Sequence, residues 1–394
     1  MPKKVLILGG GGGGAILANL LPKEDFKITV IDREKYHIFQ PGHLWIAFKG
    51  FPKEKFKRPI RELLKPHVEF IQDEVVSVDL ENRKVKSKGN RELDYDYIVI
   101  ATGAELDFDA IPGNRELVEK FGGFYSTQEN AEKMWKSILG MKEGNFVIAV
   151  SDPIYKCPPG PHKGAFLANE FFTKRGLKDK VKVILALPFP HEYPSKTIAE
   201  IIKPELEEKG IEVHTFFTVD SIDVEKNKIV SLEGEEIEYT VATVIPPHMG
   251  PQYEIKPSDV KDENSYVKID KYTCRIMNFD DAYAIGDCTN APTSKSGVTA
   301  HLQAEVVALK LQGYEAKFKG RTNCPLITNS KGLFIISDYD NPPVPVRLTP
   351  VKRLLEELFV ATYWEAIRYP ELWQPIFHAY FKATDPKILK KYRW

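Results

Sequence analysis

Apolar positions in this chain come in short unbroken runs, each ending in a glycine or proline turn. Val5-Leu-Ile-Leu8 leads into six consecutive glycines, Gly9 to Gly14, and then into Ala15-Ile-Leu-Ala-Asn-Leu-Leu21. Ile28-Thr-Val-Ile31 follows and stops at Asp32. Continuous Val/Ile/Leu runs separated by a helical stretch predict a βαβ unit with parallel strands buried on both faces. A similar run into a turn is Tyr97-Ile-Val-Ile-Ala-Thr-Gly103. Residues 145–189 predict a second α/β unit, with a strand, a helix over Gly164 to Lys174 and a strand over Val181 to Leu187. Val241-Ala-Thr-Val-Ile-Pro-Pro247 reads as the return to the first unit, and Ala282-Tyr-Ala-Ile-Gly-Asp287 as another of its strands and turns. The expected fold is α/β, with two Rossmann-like domains: one over 1–107 and 240–330, split around a second over 108–239. A C-terminal amphipathic helical region over 331–394 follows.

That last region changes character. Leu354-Leu-Glu-Glu-Leu-Phe359 has helical spacing, and Phe359, Tyr363, Trp364, Tyr369, Trp373, Phe377, Tyr380 and Phe381 crowd together. Pro370 and Pro375 are expected to break it into short pieces. Lys387, Lys390, Lys391 and Arg393 come next. Aromatics with nearby cations suit a water–lipid boundary, and the alternative is a dimer interface or packing back onto the domains. No run of about 18 apolar residues occurs, so peripheral rather than spanning membrane association is expected.

Composition narrows the classes. The 394 residues suffice for two or three domains with sizeable cores. Apolar residues make up 43% and charged ones 28%, as in ordinary globular proteins. Zero formal net charge gives nucleic acid no electrostatic footing. Four cysteines without a Cys-x-x-Cys pair speak against a zinc site, a thioredoxin-type motif or a secreted disulfide scaffold, and no metal site is expected.

Gly9, Gly11 and Gly14 form Gly-x-Gly-x-x-Gly between a strand and a helix. Gly9 permits the tight turn, Gly11 admits a pyrophosphate to the backbone, and Gly14 lets helix and strand pack closely. The helix N-terminus meets the anion with free amides and a favourable dipole. Asp32, with Arg33 beside it, stands where a carboxylate accepts from an adenosine ribose. A second such loop would be expected after the strand at 145–150. Pro153, Pro158 and Pro159 stand there instead, and Cys157 among them presents a thiol. Ala101-Thr102-Gly103 and Gly286-Asp287 occur in the order found in two-dinucleotide flavoproteins. Asp287 is expected at the flavin's ribityl chain. The helix opening after Lys295, with Val298 in its first turn, is aimed at the ring edge that gains negative charge on reduction.

With these segments together, the chain resembles the sulfide:quinone oxidoreductase family of the disulfide-reductase-like flavoproteins. The likeness extends over Gly9–Gly14, Asp32, Tyr36-His-Ile-Phe-Gln-Pro41, Ala101-Thr-Gly103, Tyr155-Lys-Cys-Pro-Pro159, Ile245-Pro-Pro-His248, Ile285-Gly-Asp287 and Cys324-Pro-Leu-Ile327. It implies FAD, sulfide and a membrane quinone as cofactor and partners, with Cys157 and Cys324 as a redox-active pair beside the flavin. Hydrosulfide, whose pKa lies near ambient pH, is suited to attack a disulfide sulfur, leaving a persulfide on one cysteine and a thiolate on the other. Cys157 precedes a helix start near Pro159, a place that lowers a thiol's pKa. Cys274 and Cys288 read as structural. No thiol near 36–45 or 120–130 stands ready to bond the flavin, so FAD is expected to be non-covalent. The resemblance also implies a histidine assisting proton movement, and His191 and His162 are the candidates. The acid that some members carry shortly after the first cysteine is missing here. Phe334 and Phe359 are candidate walls of a quinone slot, and a homo-oligomer is possible. Two enzymatic alternatives share the fold: a flavocytochrome c-type sulfide dehydrogenase subunit and a type II NADH:quinone oxidoreductase. A flavin-bound redox sensor is the non-enzymatic one.

Overall fold

The computed structural model describes residues 1–344 and 347–384, the last four as backbone only. The cations Lys387, Lys390, Lys391 and Arg393 and the Phe381 side chain therefore lie outside the described residues.

Five strands form the first parallel sheet, in the order Ala282–Ala284, Tyr97–Ile100, Lys3–Leu8, Phe26–Asp32, Glu69–Gln72. Val5 stands opposite both Ile28 and Tyr97, so the glycine turn leaves from the middle of the sheet. Helix Gly12–Leu20 follows at once, with Ala15, Leu17 and Ala18 fully buried. Small residues on this face let helix Gly297–Leu311 pack beside it.

The second sheet is also parallel, ordered Glu212–His214, Val181–Ala186, Gly144–Val150, Val241–Ile245. Here the structure corrects the domain boundary. Val241–Ile245 is an edge strand of the second sheet, paired Phe146 to Val241 and Val150 to Ile245. The chain returns to the first unit only after Ile245, not at 240. The run is buried throughout, so its composition alone suited a place in either sheet.

Helix Gly42–Lys49 joins the two units. Phe48 lies 5.2 Å from the Phe124 ring and 6.0 Å from that of Phe146. Burying a side chain of this size contributes roughly 1.5–3 kcal/mol. The C-terminal region opens with a hairpin, Thr322–Ile327 against Gly332–Ser337, which places Cys324 opposite Ile335 and spans the 330/331 boundary read from the sequence. Cys324, Leu326, Leu333 and Ile335 share one core with Phe39, Phe48 and Phe166.

Helices Pro350–Arg368 and Pro370–Thr384 complete the chain. Pro370 opens the second of these. Pro375, expected to end a helix, lies inside it and forfeits one backbone hydrogen bond. Most of the aromatic rings face inward, contrary to the interfacial reading: Phe359, Tyr363, Trp364 and Phe377 pack against the cores. The outward stripe is aliphatic instead, formed by Val351, Leu354 and Leu358 on one helix and Leu372 and Ile376 on the other. No described helix is long and apolar enough to cross a membrane.

Candidate functional site

The glycine turn has the geometry of an anion cradle. Gly9 is left-handed (φ 102°), and a side chain there would strike the Ala101 carbonyl. At Gly14 a Cβ would lie 2.0 Å from the Gly9 oxygen, whereas at Gly11 it would meet nothing within 4 Å. The turn is thus closed on the protein side and open at the position that faces a ligand. Asp32 ends its strand with both carboxylate oxygens engaged: the Gly10 N–H donates at 2.6 Å and the Glu34 N–H at 2.8 Å. Burial holds its pKa above the usual range despite those amides. Arg33 points to solvent near Glu34.

Ala101 follows directly from the central strands, its N–H donating to the Leu8 carbonyl at 2.7 Å. Thr102 Oγ1 lies 3.4 Å from the Tyr253 hydroxyl, and Gly103, also left-handed, faces open space. Gly286 donates its N–H to Gln303 at 2.7 Å. Asp287 Oδ1 is buried without a hydrogen-bond partner. A buried carboxylate oxygen is rarely left unpaired, and here burial pushes the acid up against the pull of Lys295 and Lys156. Lys295 Nζ donates to the Asp287 and Thr289 carbonyls at 3.0 Å each and stands 3.6 Å from the Tyr266 ring centre. Val298, in the first helical turn, packs on the first core. An open glycine cradle, a ribose-side acid and an orphan carboxylate oxygen in line along one sheet fit FAD.

After strand Gly144–Val150 no second cradle forms. Helix Gly160–Lys174 does begin where a dinucleotide helix would, but tyrosines close its mouth. The Tyr125 hydroxyl donates to the Cys157 carbonyl at 3.1 Å and would clash with any Cβ at Gly160. Tyr155, buried, donates to the Pro158 carbonyl at 3.1 Å.

Within this loop Cys157 takes a left-handed conformation (φ 55°), uncommon for a residue with a side chain. Its N–H donates to the Lys295 carbonyl at 2.8 Å. Cys324, 167 positions away in the sequence, reaches the same turn: its thiol lies 3.3 Å from Thr322 Oγ1, and the Ser296 hydroxyl favours its thiolate. Both cysteines therefore stand against Lys295-Ser296, the turn that opens helix Gly297–Leu311, Cys157 through its backbone N–H and Cys324 through its side chain, and the charge of the Cys324 thiol bears on that of Cys157. Each is a free thiol; Cys157 keeps partial access to solvent and Cys324 is buried.

The expectation of an acidified Cys157 is corrected. Burial raises its pKa to about 11, outweighing the downward pull of Lys163. Helix Gly160–Lys174 does start behind it, but its first turn is itself buried, so the loss of hydration decides. Cys324 is also raised, again by burial. Cys274 and Cys288 are buried thiols, the latter 3.1 Å from the Ile285 carbonyl.

Of the two candidate histidines, His162 is buried with Nε2 2.6 Å from the Glu192 carbonyl, and burial lowers its pKa to about 4. His191 sits on the partly exposed loop after Val181–Ala186, beside Glu192. Sequence reasoning did not name His43 and gave no role to His248, quoted there only as part of a segment; both are held near pKa 3 by burial and by the Lys156 ammonium. Lys156 was likewise quoted without a role, and its charge acts on Asp287 and Cys157. A buried acid reaches this region from the far end of the chain: Glu356, on helix Pro350–Arg368, forms an ion pair with Lys163. The dense Lys156/Lys163 spacing around Cys157 was a legible signal, but the partner of Lys163 was not.

Phe334 and Phe359 both meet the last helix. Phe334 lies 5.9 Å from the Tyr380 ring, and Phe359 lies 6.3 Å from both Phe377 and Tyr363. Among the described residues no cluster of His, Cys, Asp or Glu is arranged to hold a metal.

Comparison with known proteins adds a family. The model for the pyridine nucleotide-disulphide oxidoreductase family matches residues 3–148 and 164–306. The interval it skips is the loop that carries Cys157. The chain is 27% identical to the mitochondrial sulfide:quinone oxidoreductase of Mus musculus, covering 90% of this chain and 82% of that one. It is 28% identical to that of Dictyostelium discoideum, covering 85% and 77%. The solved structure of the sulfide:quinone oxidoreductase from Aquifex aeolicus superposes with a TM-score of 0.85 at 20% identity, covering 97% of this chain and 95% of that one.

Proposed function

The chain belongs to the pyridine nucleotide-disulphide oxidoreductase family, and from that premise we propose that it is an FAD enzyme oxidising sulfide at a Cys157/Cys324 pair and reducing a membrane quinone. The observation that carries this reading is the arrival of two sequence-distant cysteines at the Lys295-Ser296 turn, Cys157 through its backbone N–H and Cys324 through its side chain. Likeness to the named sulfide:quinone oxidoreductases supports it.

When bound, FAD supplies a two-electron acceptor that passes its electrons on to quinone. The protein's own residues supply the sulfur chemistry. In the oxidised enzyme Cys157 and Cys324 share a disulfide. Hydrosulfide attacks the Cys324 sulfur; a new S–S bond forms there, the Cys157–Cys324 bond breaks, and its electron pair stays on Cys157 as a thiolate. Cys324 is left as the persulfide. Lys163 lies near enough to favour that thiolate electrostatically, and Lys156 and Lys295 make the approach attractive to an anion. Asp287, Asp32 and the glycine turn hold FAD, without a covalent link. The aliphatic stripe on the two last helices rests on the membrane surface, and Phe334 and Phe359 border the quinone. His162 and His191 are the candidate histidines for moving a proton.

The test is direct. Cys157→Ser and Cys324→Ser should each abolish sulfide-dependent quinone reduction while FAD remains bound. Full activity in the double variant would overturn the proposal.

A further inference from the structure

Lys163, which that scheme places beside the thiolate, has a charged partner the scheme does not use, Glu356. Lys163 lies in the first turn of helix Gly160–Lys174, and Glu356 comes from helix Pro350–Arg368. Their side chains are each 5% exposed and joined through Glu356 Oε1. The second oxygen, Oε2, is buried with no hydrogen-bond partner. A buried carboxylate with one oxygen unpaired is costly to keep, and nothing in the packing of the helix requires an acid there: its neighbours on the inward face are Phe359, Val360 and Tyr363.

We propose that Glu356 is a positioning residue for the thiol chemistry: by pairing with Lys163 it divides the ammonium charge between itself and Cys157, and so sets how readily Cys157 ionises. This rests on the reading of Cys157 as the thiol that leaves as an anion.

The arrangement has two states. With the carboxylate in place, Lys163 is mostly neutralised and a thiolate at Cys157 gains little from it. With the carboxylate absent, Cys157 is the next group in order of influence on the buried ammonium, and the thiolate gains the full interaction. The directions of the charge effects agree: Lys163 favours the thiolate, whereas Glu356, Cys324 and Asp287 oppose it. Lys163 itself is held above the ordinary lysine value against burial, by Glu356 first and Cys157 next. The other ionisable groups facing Cys157 are Lys156 on its own loop, Tyr125, Tyr155 and Tyr193 around it, and Cys324 on the hairpin.

Glu356 is also placed so that its charge depends on the tail. The opposite face of its helix carries the exposed Val351, Leu354 and Leu358. The carboxylate reaches Lys163 only while this helix is docked, so the surface that meets the membrane and the charge that tunes the thiol belong to one rigid element.

The experiment measures Cys157 ionisation by itself, without sulfide or quinone. Full-length, FAD-loaded protein is reduced, and the rate of iodoacetamide labelling of the Cys157 peptide is followed against pH by mass spectrometry. Glu356→Gln should move the midpoint to lower pH and speed labelling at pH 7 about tenfold, a change equivalent to about one pH unit. In a Lys163→Met background the same Glu356→Gln change should have little effect, because the charge it releases is gone. Should Glu356→Gln fail to retain FAD, Glu356→Asp, which withdraws the carboxylate by one methylene, carries the test with a smaller shift in the same direction. An unmoved midpoint, or an equal shift with and without Lys163, overturns the proposal. Loss of sulfide turnover in the cysteine variants would leave this measurement readable, so the two ideas fail separately.

Discussion

The ring of His37 joins the glycine turn to helix Pro350–Arg368: Nδ1 lies 2.9 Å from the Gly10 carbonyl and Nε2 lies 2.8 Å from the Tyr363 hydroxyl. Because a carbonyl only accepts, Nδ1 carries the proton. Burial lowers the ring's pKa to about 4, so Nε2 is unprotonated at neutral pH and accepts from Tyr363. A residue 353 positions beyond Gly10 thus braces the rim of the cradle.

Tyr363→Phe removes that donor and leaves a buried acceptor unpaired, at a cost of about 1 kcal/mol. FAD affinity should fall roughly five-fold. Flavin fluorescence on dilution reads the release, and an unchanged dissociation constant would mean that the rim does not contribute to holding the cofactor.

Asp287→Ala removes the unpaired carboxylate oxygen that we assign to the cofactor. A charged hydrogen bond contributes about 1.5–3 kcal/mol, so FAD should bind on the order of 10- to 100-fold more weakly. The protein purified without added FAD should be nearly colourless.

NADH should not reduce the flavin at a useful rate. Tyr125 and Tyr155 occupy the helix mouth at Gly160 where a second pyrophosphate would sit. Anaerobic mixing with NADH should leave the flavin absorbance in place; rapid bleaching would favour the NADH:quinone alternative.

Leu354→Ser with Leu358→Ser weakens the outward stripe. Half-burying two leucines in lipid contributes about 2 kcal/mol, so co-sedimentation with anionic liposomes should drop roughly 30-fold in affinity. FAD content should not change, since neither residue faces the cradle.

The last helix should dock in a pH-dependent way. His378 Nε2 lies 2.9 Å from Glu305 Oε2, and that bond raises the histidine's pKa. A raised folded value contributes stability fully below the unfolded pKa of about 6.5 and loses it as pH rises through the folded one. Limited proteolysis of the C-terminal helix should therefore quicken from pH 6 to pH 8.5, and His378→Ala should flatten that dependence.

Much of this was legible locally. The Val5–Leu8 run, the spacing of Gly9, Gly11 and Gly14, and the place of Asp32 define a cradle within about thirty residues of chain, because turn sterics and strand burial are short-range. Pro153, Pro158 and Pro159 announced in the same way that no second cradle would form. Val241–Ile245 was misplaced because a fully buried strand has the same composition in either sheet. Cys157 was expected to be acidified because a helix start is visible in sequence, whereas the burial that outweighs it is not.

From its own order of residues the chain determined two parallel α/β units, one open glycine turn and a proline-closed loop bearing a thiol; backbone sterics and apolar periodicity act between near neighbours and need no partner. The tertiary structure alone decided that Cys157 and Cys324 share the Lys295-Ser296 turn, that the acid opposite Lys163 is Glu356, and that Tyr363 braces Gly10 through His37. Those are meetings of residues far apart in the chain, and their charge, hydration and ionisation are set by whatever packs against them.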